Sequence, residues 1–329
     1  MTLLIVSRAS FGLRDGWELS VVAGQGGGVT TRLVDPVWWE LAVRGVTLRG
    51  TVHGRAANRA PDAPAVVAVH GGPGLDGAGL RHVLASLAEH VELVVPDLRG
   101  HGRSDLAGPA TWTLDDWADD LAVVIDALQL RRPVVVGVSF GGWVVLRYAA
   151  RHPEQPGSLV VAATSARLPS VEEGAERMAS LGGPASAAAW RATHADPSAE
   201  NSPAFARHVL ALMAVLKPTP ALRAVRAGQI KTQQVNAHFT PQFSRLDLTG
   251  DARKVRCPVA VVVGERDPLT TPQLVAATVD AVPGLARLRL IPNAAHDLLT
   301  DAPEVLIEEI NSALTTRSQR GPQDTTASP

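Results

Sequence analysis

The chain has 329 residues, 46% of them hydrophobic, a formal net charge of -1 at pH 7 and a single cysteine. That length allows one large domain, or a domain carrying a sizeable insertion, around a substantial core. Near-neutral charge gives no electrostatic reason to expect nucleic acid or a membrane as partner, and the lone Cys257 excludes an internal disulfide, which fits a reducing, cytoplasmic compartment.

Met1 to Val6 is too short an apolar run for a signal-peptide core, and Arg8 follows it rather than preceding it, so export is not expected. No window approaches a membrane span. Residues 1–36, glycine-rich from Gly24 to Gly28 and without a sustained period, read as a loosely attached N-terminal extension open to disorder. Alternation from Trp38 to His53, broken at Gly45, predicts an antiparallel hairpin at a sheet edge. Ala65 to Val69 is apolar without alternation, as in a strand covered on both faces. It runs into His70-Gly71-Gly72-Pro73-Gly74, where glycines let the backbone turn sharply and point an N–H outward.

Leu80 to Ala88 predicts a helix and Val91 to Val95 a buried strand. In the loop from Asp97 to Ser104, Asp97 and Arg99 read as residues that pin the turn by hydrogen bonds. Thr113 caps a helix that starts near Leu114, carries Asp115 and Asp116 in its first turn and runs to Leu128. Pro133 then opens a β-branched run, Gly137-Val138-Ser139-Phe140-Gly141 follows, and helical spacing takes over at Trp143, Leu146 and Tyr148. Strand, tight turn, helix is the setting of a nucleophile elbow. Ser139 stands at the apex, flanked two residues away by positions that need no Cβ, and the backbone N–H of Phe140 faces any oxyanion formed there.

Leu159 to Ala163 predicts a further strand. Residues 165–251 change texture: rich in Ala and Pro, helical in pattern and poor in strand runs, they read as a helical cap inserted between two strands. Trp190, Phe205, Met213, Phe239 and Phe243 are its candidates for roofing a substrate pocket, or for packing the cap on the sheet. The sheet resumes at Pro258 to Val263, with Cys257 just ahead of it as a small buried hydrophobe, and ends in Gly264-Glu265-Arg266-Asp267-Pro268. A last strand, Leu288 to Ile291, leads to Asn293-Ala294-Ala295-His296-Asp297. A helix from Pro303 to Leu314 closes the core, assigned to residues 37–164 and 252–315, ahead of a polar tail, 316–329, expected to be disordered.

Alternating strands and helices predict an α/β fold with a mostly parallel, doubly covered sheet, whose strand C-terminal ends share one edge. Ser139, Asp267 and His296 each fall in a loop after a strand, in the order Ser, Asp, His. A serine hydroxyl needs a base, an imidazole titrates near neutrality, and a carboxylate orients the imidazole and stabilises its cation. His101 is a rival base, and Glu265 and Asp297 are rival acids; Asp267 is preferred because it ends its loop's polar run, just before Pro268. The amides of Phe140 and Gly72 are the expected oxyanion donors, with no metal or cofactor. The expected function is a serine hydrolase acting on a small-molecule ester, lactone or amide through an acyl-enzyme. The oligomeric state is left open.

Together these residues resemble the α/β-hydrolase fold from about Leu48 to Leu314. His70 to Gly74 is similar to the proline iminopeptidase (prolyl aminopeptidase) branch, which implies removal of N-terminal residues from short peptides as an alternative activity. That branch carries a Gly-Gly-Ser-Trp-Gly-Gly elbow and a Trp-Glu pair in a cap whose carboxylates bind the substrate amine. Here the elbow reads Gly137-Val138-Ser139-Phe140-Gly141-Gly142, Arg191 follows Trp190, and the cap acids are Glu172, Glu173, Glu176, Asp196, Glu200, Asp247 and Asp251. Asp97 to Ser104 looks instead like the broader esterase and small-molecule hydrolase pattern. The resemblance also leaves room for a ligand-sensing or non-hydrolytic protein.

Overall fold

The computed structural model describes residues 19–22, 36–54, 63–196 and 202–319. Most of the expected extension, 1–18 and 23–35, and most of the tail, 320–329, lie outside the described residues. The strands are β1 (Leu19–Val22), β2 (Val37–Val43), β3 (Val46–His53), β4 (Ala65–Val69), β5 (Glu92–Asp97), β6 (Val134–Val138), β7 (Ser158–Ala162), β8 (Val259–Gly264) and β9 (Ala286–Ile291). They form one nine-stranded sheet in the order β1-β2-β3-β5-β4-β6-β7-β8-β9. From β5 to β9 every neighbouring pair is parallel, whereas β1, β2 and β3 join antiparallel.

The predicted hairpin is β2 and β3, paired from Val43↔Val46 to Val37↔Val52. Its turn residues, Arg44 (φ 45°) and Gly45 (φ 79°), lie in the left-handed region that suits a two-residue hairpin loop. Beyond it, Leu19–Val22 from the segment read as an extension pairs with β2 through Leu19↔Leu41 to Val22↔Trp38, so at these four residues the chain is part of the sheet.

Every residue of β4, β5, β6, β7 and β8 is buried, which explains the apolar runs at their centres: no face is left for polar alternation. One face is covered by helices α2 (Leu114–Ala127), α3 (Phe140–Arg151) and α10 (Pro272–Ala281), around Trp117, Leu121, Val144, Tyr148 and Val275. The other is covered by α1 (Ala78–Val83) and α12 (Pro303–Gln319), through Leu80, Leu84, Leu306 and Ile310. The helix expected over 80–88 is shorter than its apolar spacing suggested: α1 gives way at Leu84 to a 3-10 turn, Ala85–Glu89. At the other end α12 continues through 316–319, residues assigned to the tail. The hydroxyls of Thr315 and Thr316 turn back onto the carbonyls of Asn311 and Ser312, and no Gly or Pro intervenes before Gly321.

Between β7 and β8 the chain forms α4 (Val171–Gly182), α5 (Pro184–Ala195), α6 (Pro203–His208), α7 (Pro220–Ala227), α8 (Gln233–Phe239) and α9 (Thr249–Ala252); the short α11 (Leu298–Asp301) follows β9. Pro184, Pro203 and Pro220 sit at the first turn of their helices, where the missing N–H costs nothing. A bridge between Arg167 and Asp247 closes the neck of this helical insertion. Ala175, Met178, Ala187, Trp190 and Val209 give it a small core of its own.

The loop after β5 is pinned as the sequence suggested. Asp97, fully buried, accepts from the N–H groups of Gly77 (2.9 Å) and Arg103 (3.0 Å). Arg99 makes a bidentate pair with Asp120 of α2, at 2.8 and 2.7 Å, with both side chains only 2% exposed. Removing one partner strands the other charge away from water. Asp120→Ala is therefore expected to cost about 3–5 kcal/mol, read as a lower urea midpoint at unchanged slope.

Candidate active site

The elbow is built by close approach. A Cβ on Gly137 would collide with the carbonyl of Gly141, and one on Gly141 with the carbonyls of Val69 and His70, so strand β6, helix α3 and strand β4 meet only because both positions are glycine. Between them Ser139 is forced to φ 54°, ψ -119°, a region that costs an ordinary residue about 1–3 kcal/mol. Hydrogen bonds hold it there: Ser139 N–H donates to Ala162 O (2.8 Å), and Ser139 O accepts from Gly142 N–H (2.8 Å) and the Thr164 hydroxyl (2.8 Å). Next to it, the Phe140 ring is buried among Trp117, Trp143 and Phe239, at centroid distances of 5.1, 6.4 and 5.4 Å.

The three residues read from the sequence come together. Ser139 Oγ lies 2.9 Å from His296 Nε2, and His296 Nδ1 lies 2.9 Å from Asp267 Oδ2. A carboxylate only accepts, so Nδ1 carries the proton and donates to Asp267. Nε2 then presents its lone pair, and the Ser139 hydroxyl donates to it. Asp267 is fully buried, and both its oxygens are occupied: Oδ1 accepts from the N–H of Leu269 and Thr270, each at 2.8 Å, and Oδ2 from the Thr270 hydroxyl at 2.6 Å. Thr270 was missed in the sequence; its place three residues after the acid was the available signal.

Burial alone would lower the His296 pKa. The charge of Asp267, its hydrogen bond and the charge of Asp297 outweigh that effect, and the pKa is raised above its ordinary 6.5. The rivals are otherwise engaged. His101 is buried, its Nδ1–H donates to Arg99 O (2.9 Å), and desolvation pushes its pKa down to about 3. Asp297 pairs with Arg226 at 2.6 Å, and Glu265 accepts from Asn293 N–H at 3.4 Å.

The glycine-rich loop after β4 lies against the elbow: a Cβ on Gly71 would stand 3.6 Å from the Cβ of Ser139. His70 stiffens this loop, its Nδ1–H donating to Gly71 O (2.9 Å) and its Nε2 accepting from Leu98 N–H (3.2 Å). That assigns a neutral imidazole, in keeping with a pKa lowered by burial. Among the cap candidates, Trp190 sits in the cap's own core with its indole N–H on Val171 O (3.0 Å), and Phe205, Met213 and Leu269 pack against that core. Phe239 packs on Phe140 and Trp117, and Phe243 on Trp143 at 5.1 Å. Arg177 of α4 reaches the acid loop, donating to the carbonyls of Asp267 (3.1 Å) and Glu265 (2.6 Å). A hollow of about 590 Å³ lined by Ala150, Pro153, Arg253 and Leu285 lies at the opposite edge of the sheet, before β8 and β9 rather than after them. Among the described residues no group of three or more His, Cys, Asp or Glu could hold a metal ion, and no helix is long and apolar enough to cross a membrane.

A family model described as the alpha/beta hydrolase fold matches residues 64–303. The chain is 39% identical over 95 residues to 2-hydroxymuconate semialdehyde hydrolase of Pseudomonas sp. (strain CF600), covering 28% of this chain and 34% of that protein. It is 39% identical over 102 residues to Lipase LipV of Mycobacterium tuberculosis, covering 31% and 38%. It thus spans about a third of the length of the curated relatives it matches. The likeness in fold is wider. The proline iminopeptidase of Mycobacterium smegmatis superposes with a TM-score of 0.69 at 22% identity, covering 85% of this chain and 97% of that one. VinJ superposes with a TM-score of 0.70 at 22% identity, covering 84% and 97%.

The charges around His296 set the direction of its titration. Followed by NMR, the imidazole is expected to titrate with a midpoint above 6.5, and in Asp267→Asn to fall below the wild-type midpoint, because the anion that favours the imidazolium is gone.

Proposed function

The chain belongs to the α/β-hydrolase fold family, and we propose that it is a serine hydrolase that cleaves a small-molecule ester, lactone or amide through an acyl-enzyme. The observation that carries this reading is the unbroken relay from Ser139 Oγ through His296 to Asp267, both links at 2.9 Å. As Ser139 Oγ attacks a carbonyl carbon, its proton passes to His296 Nε2, and Asp267 stabilises the imidazolium. The carbonyl oxygen gains the negative charge, and the N–H groups of Phe140 and Gly72 are assigned to hold it; losing such a donor costs about 3–4 kcal/mol of barrier in comparable sites. When the tetrahedral adduct collapses, the bond to the leaving group breaks and that group takes the proton from His296. Water then attacks the acyl-serine by the same route, with His296 as base, and frees the acid and the serine hydroxyl. No step calls for a metal or cofactor.

Of the cap candidates, Met213 lies beside the base, its carbonyl accepting from Asp297 N–H, and is assigned to the substrate side; Trp190 and Phe205 pack the cap's own core, and Phe239 and Phe243 pack on α3. Ester or lactone cleavage is favoured over aminopeptidase action by the state of the cap acids. Glu172 pairs with Arg191, Glu173 caps α4 and pairs with Arg167, Glu176, Asp196 and Asp247 are exposed, and the half-buried Asp251 pairs with Arg147 at 3.3 Å, while Glu200 lies outside the described residues. A free amine buried in the pocket needs a partner of opposite charge. The relatives, a semialdehyde hydrolase and a lipase, support hydrolysis in general.

Ser139→Ala is expected to abolish turnover of p-nitrophenyl acetate and covalent labelling by a fluorophosphonate while leaving thermal unfolding in place; activity equal to wild type would refute the assignment. An acyl ester is expected to outpace a proline arylamide of similar size, and the reverse order would select the aminopeptidase reading. Labelling of Ser139 without turnover across a broad ester panel would select a ligand-sensing role.

A further inference from the structure

His296 stands between two residues that are each tied to the cap. On its N-terminal side, Ala295 N–H donates to Asp301 Oδ2 (2.8 Å), and the same carboxylate accepts from the N–H of Val215 (2.9 Å) and Leu216 (2.8 Å). On its C-terminal side, Asp297 N–H donates to Met213 O (2.7 Å). The Asp297 carboxylate receives two guanidinium bonds from Arg226 of α7, at 2.6 and 2.8 Å, and a third bond from the Thr300 hydroxyl at 2.7 Å. Every one of the cap partners lies within 213–226, a short stretch laid along the histidine loop.

The Arg226–Asp297 pair is partly exposed, 30% and 22%, a setting in which ion pairs add little to stability. What a two-pronged guanidinium contact does supply is orientation, since it fixes the plane of the carboxylate and with it the backbone that carries it. The residue so fixed is the immediate neighbour of the base. We propose that Arg226 is a positioning residue: by gripping Asp297 it sets the loop that aims His296 at Ser139, so that docking of the cap and alignment of the base are one event. This rests on the reading of Ser139 as nucleophile and His296 as base.

The charges that act on the imidazole are Asp267, from the loop after β8, and Asp297, from its own loop; around them stand Arg226 of α7 on the Asp297 carboxylate, Asp301 of α11 on Ala295 N–H and Arg177 of α4 on the Asp267 carbonyl. Arg226 neutralises Asp297 beside the imidazole. Asp297 raises the His296 pKa, so removing that anion lowers it; removing the cation that balances it is expected to act in the opposite direction.

The test is steady-state hydrolysis of p-nitrophenyl acetate by the full chain across pH, comparing wild type with Arg226→Met, Arg226→Lys and Asp297→Asn. Arg226→Met is expected to lower kcat about 10-fold or more with little change in KM, as small misplacements of a catalytic group do, and to move the acid limb of kcat/KM to higher pH. Asp297→Asn lowers kcat and moves the limb the opposite way. Arg226→Lys restores the limb, because it restores the charge, but not kcat, because an ammonium cannot make the paired contact. Wild-type kcat and acid limb in a folded Arg226→Met overturn the proposal, as does equal behaviour of the Lys and Met variants. If Arg226→Met fails to fold, Asp297→Asn decides: a lowered kcat with a downward limb supports the proposal, and no change in either overturns it. Wild-type protein that neither turns over the ester nor takes a fluorophosphonate label on Ser139 overturns the hydrolase reading, and this proposal with it. An active wild type with an unaffected Arg226→Met overturns this proposal alone.

Discussion

The structure turns on one strained residue. Ser139 is held at φ 54° because β6 must reverse into α3 within a few atoms of the end of β4, a clearance that Gly137 and Gly141 alone permit. Strain of about 1–3 kcal/mol is tolerable only where the surroundings over-determine the backbone. Here they do: the bonds from Ser139 N–H to β7 and from Thr164 back to Ser139 O lock the turn to the neighbouring strand, and the buried Phe140 ring anchors the helix that follows. The reward is a hydroxyl raised off the sheet, with a helix N-terminus beneath it.

Asp267 and His296 are positioned by a different logic. Neither is strained into place; each is held by satisfying polar groups. A carboxylate taken entirely out of water is costly unless its lone pairs are used. Asp267 uses them on two backbone N–H groups and a hydroxyl from the turn it opens, and its remaining direction points at His296. The turn therefore solvates the acid and aims it in the same act. The imidazole, gripped by that carboxylate, keeps its lone pair for the serine.

Much of this was legible in the sequence because the signals were local. Gly137 to Gly141 announces a tight turn between a β-branched run and a helical one, and the apolar runs at 65–69, 134–138 and 259–263 announce buried parallel strands. The order Ser, Asp, His followed from loops after those strands. What remained hidden depends on partners distant in sequence. The pairing of Leu19–Val22 with β2 is made by backbone groups, which leave no compositional trace. Trp190 and Phe239 look alike in the sequence, as large apolar residues among short helices. Only tertiary packing puts one in the cap's core and the other against the elbow. Arg226 is one of many surface arginines until Asp297 is brought beside it.

The contacts between cap and sheet divide by type, and the division bears on how such a site can change its substrate. Where the cap meets the acid and base loops, many of the contacting atoms are main-chain: Arg177 binds the carbonyls of Glu265 and Asp267, Met213 offers its carbonyl, and Val215 and Leu216 offer their N–H groups. Around Phe140 and Trp143 of α3, by contrast, the cap contributes the apolar side chains of Phe239 and Phe243. Main-chain contacts survive replacement of the side chains that flank them. Apolar cap residues can then vary while the bonds that align Ser139, His296 and Asp267 persist, provided the few side-chain anchors, Arg177 and Arg226 among them, are kept.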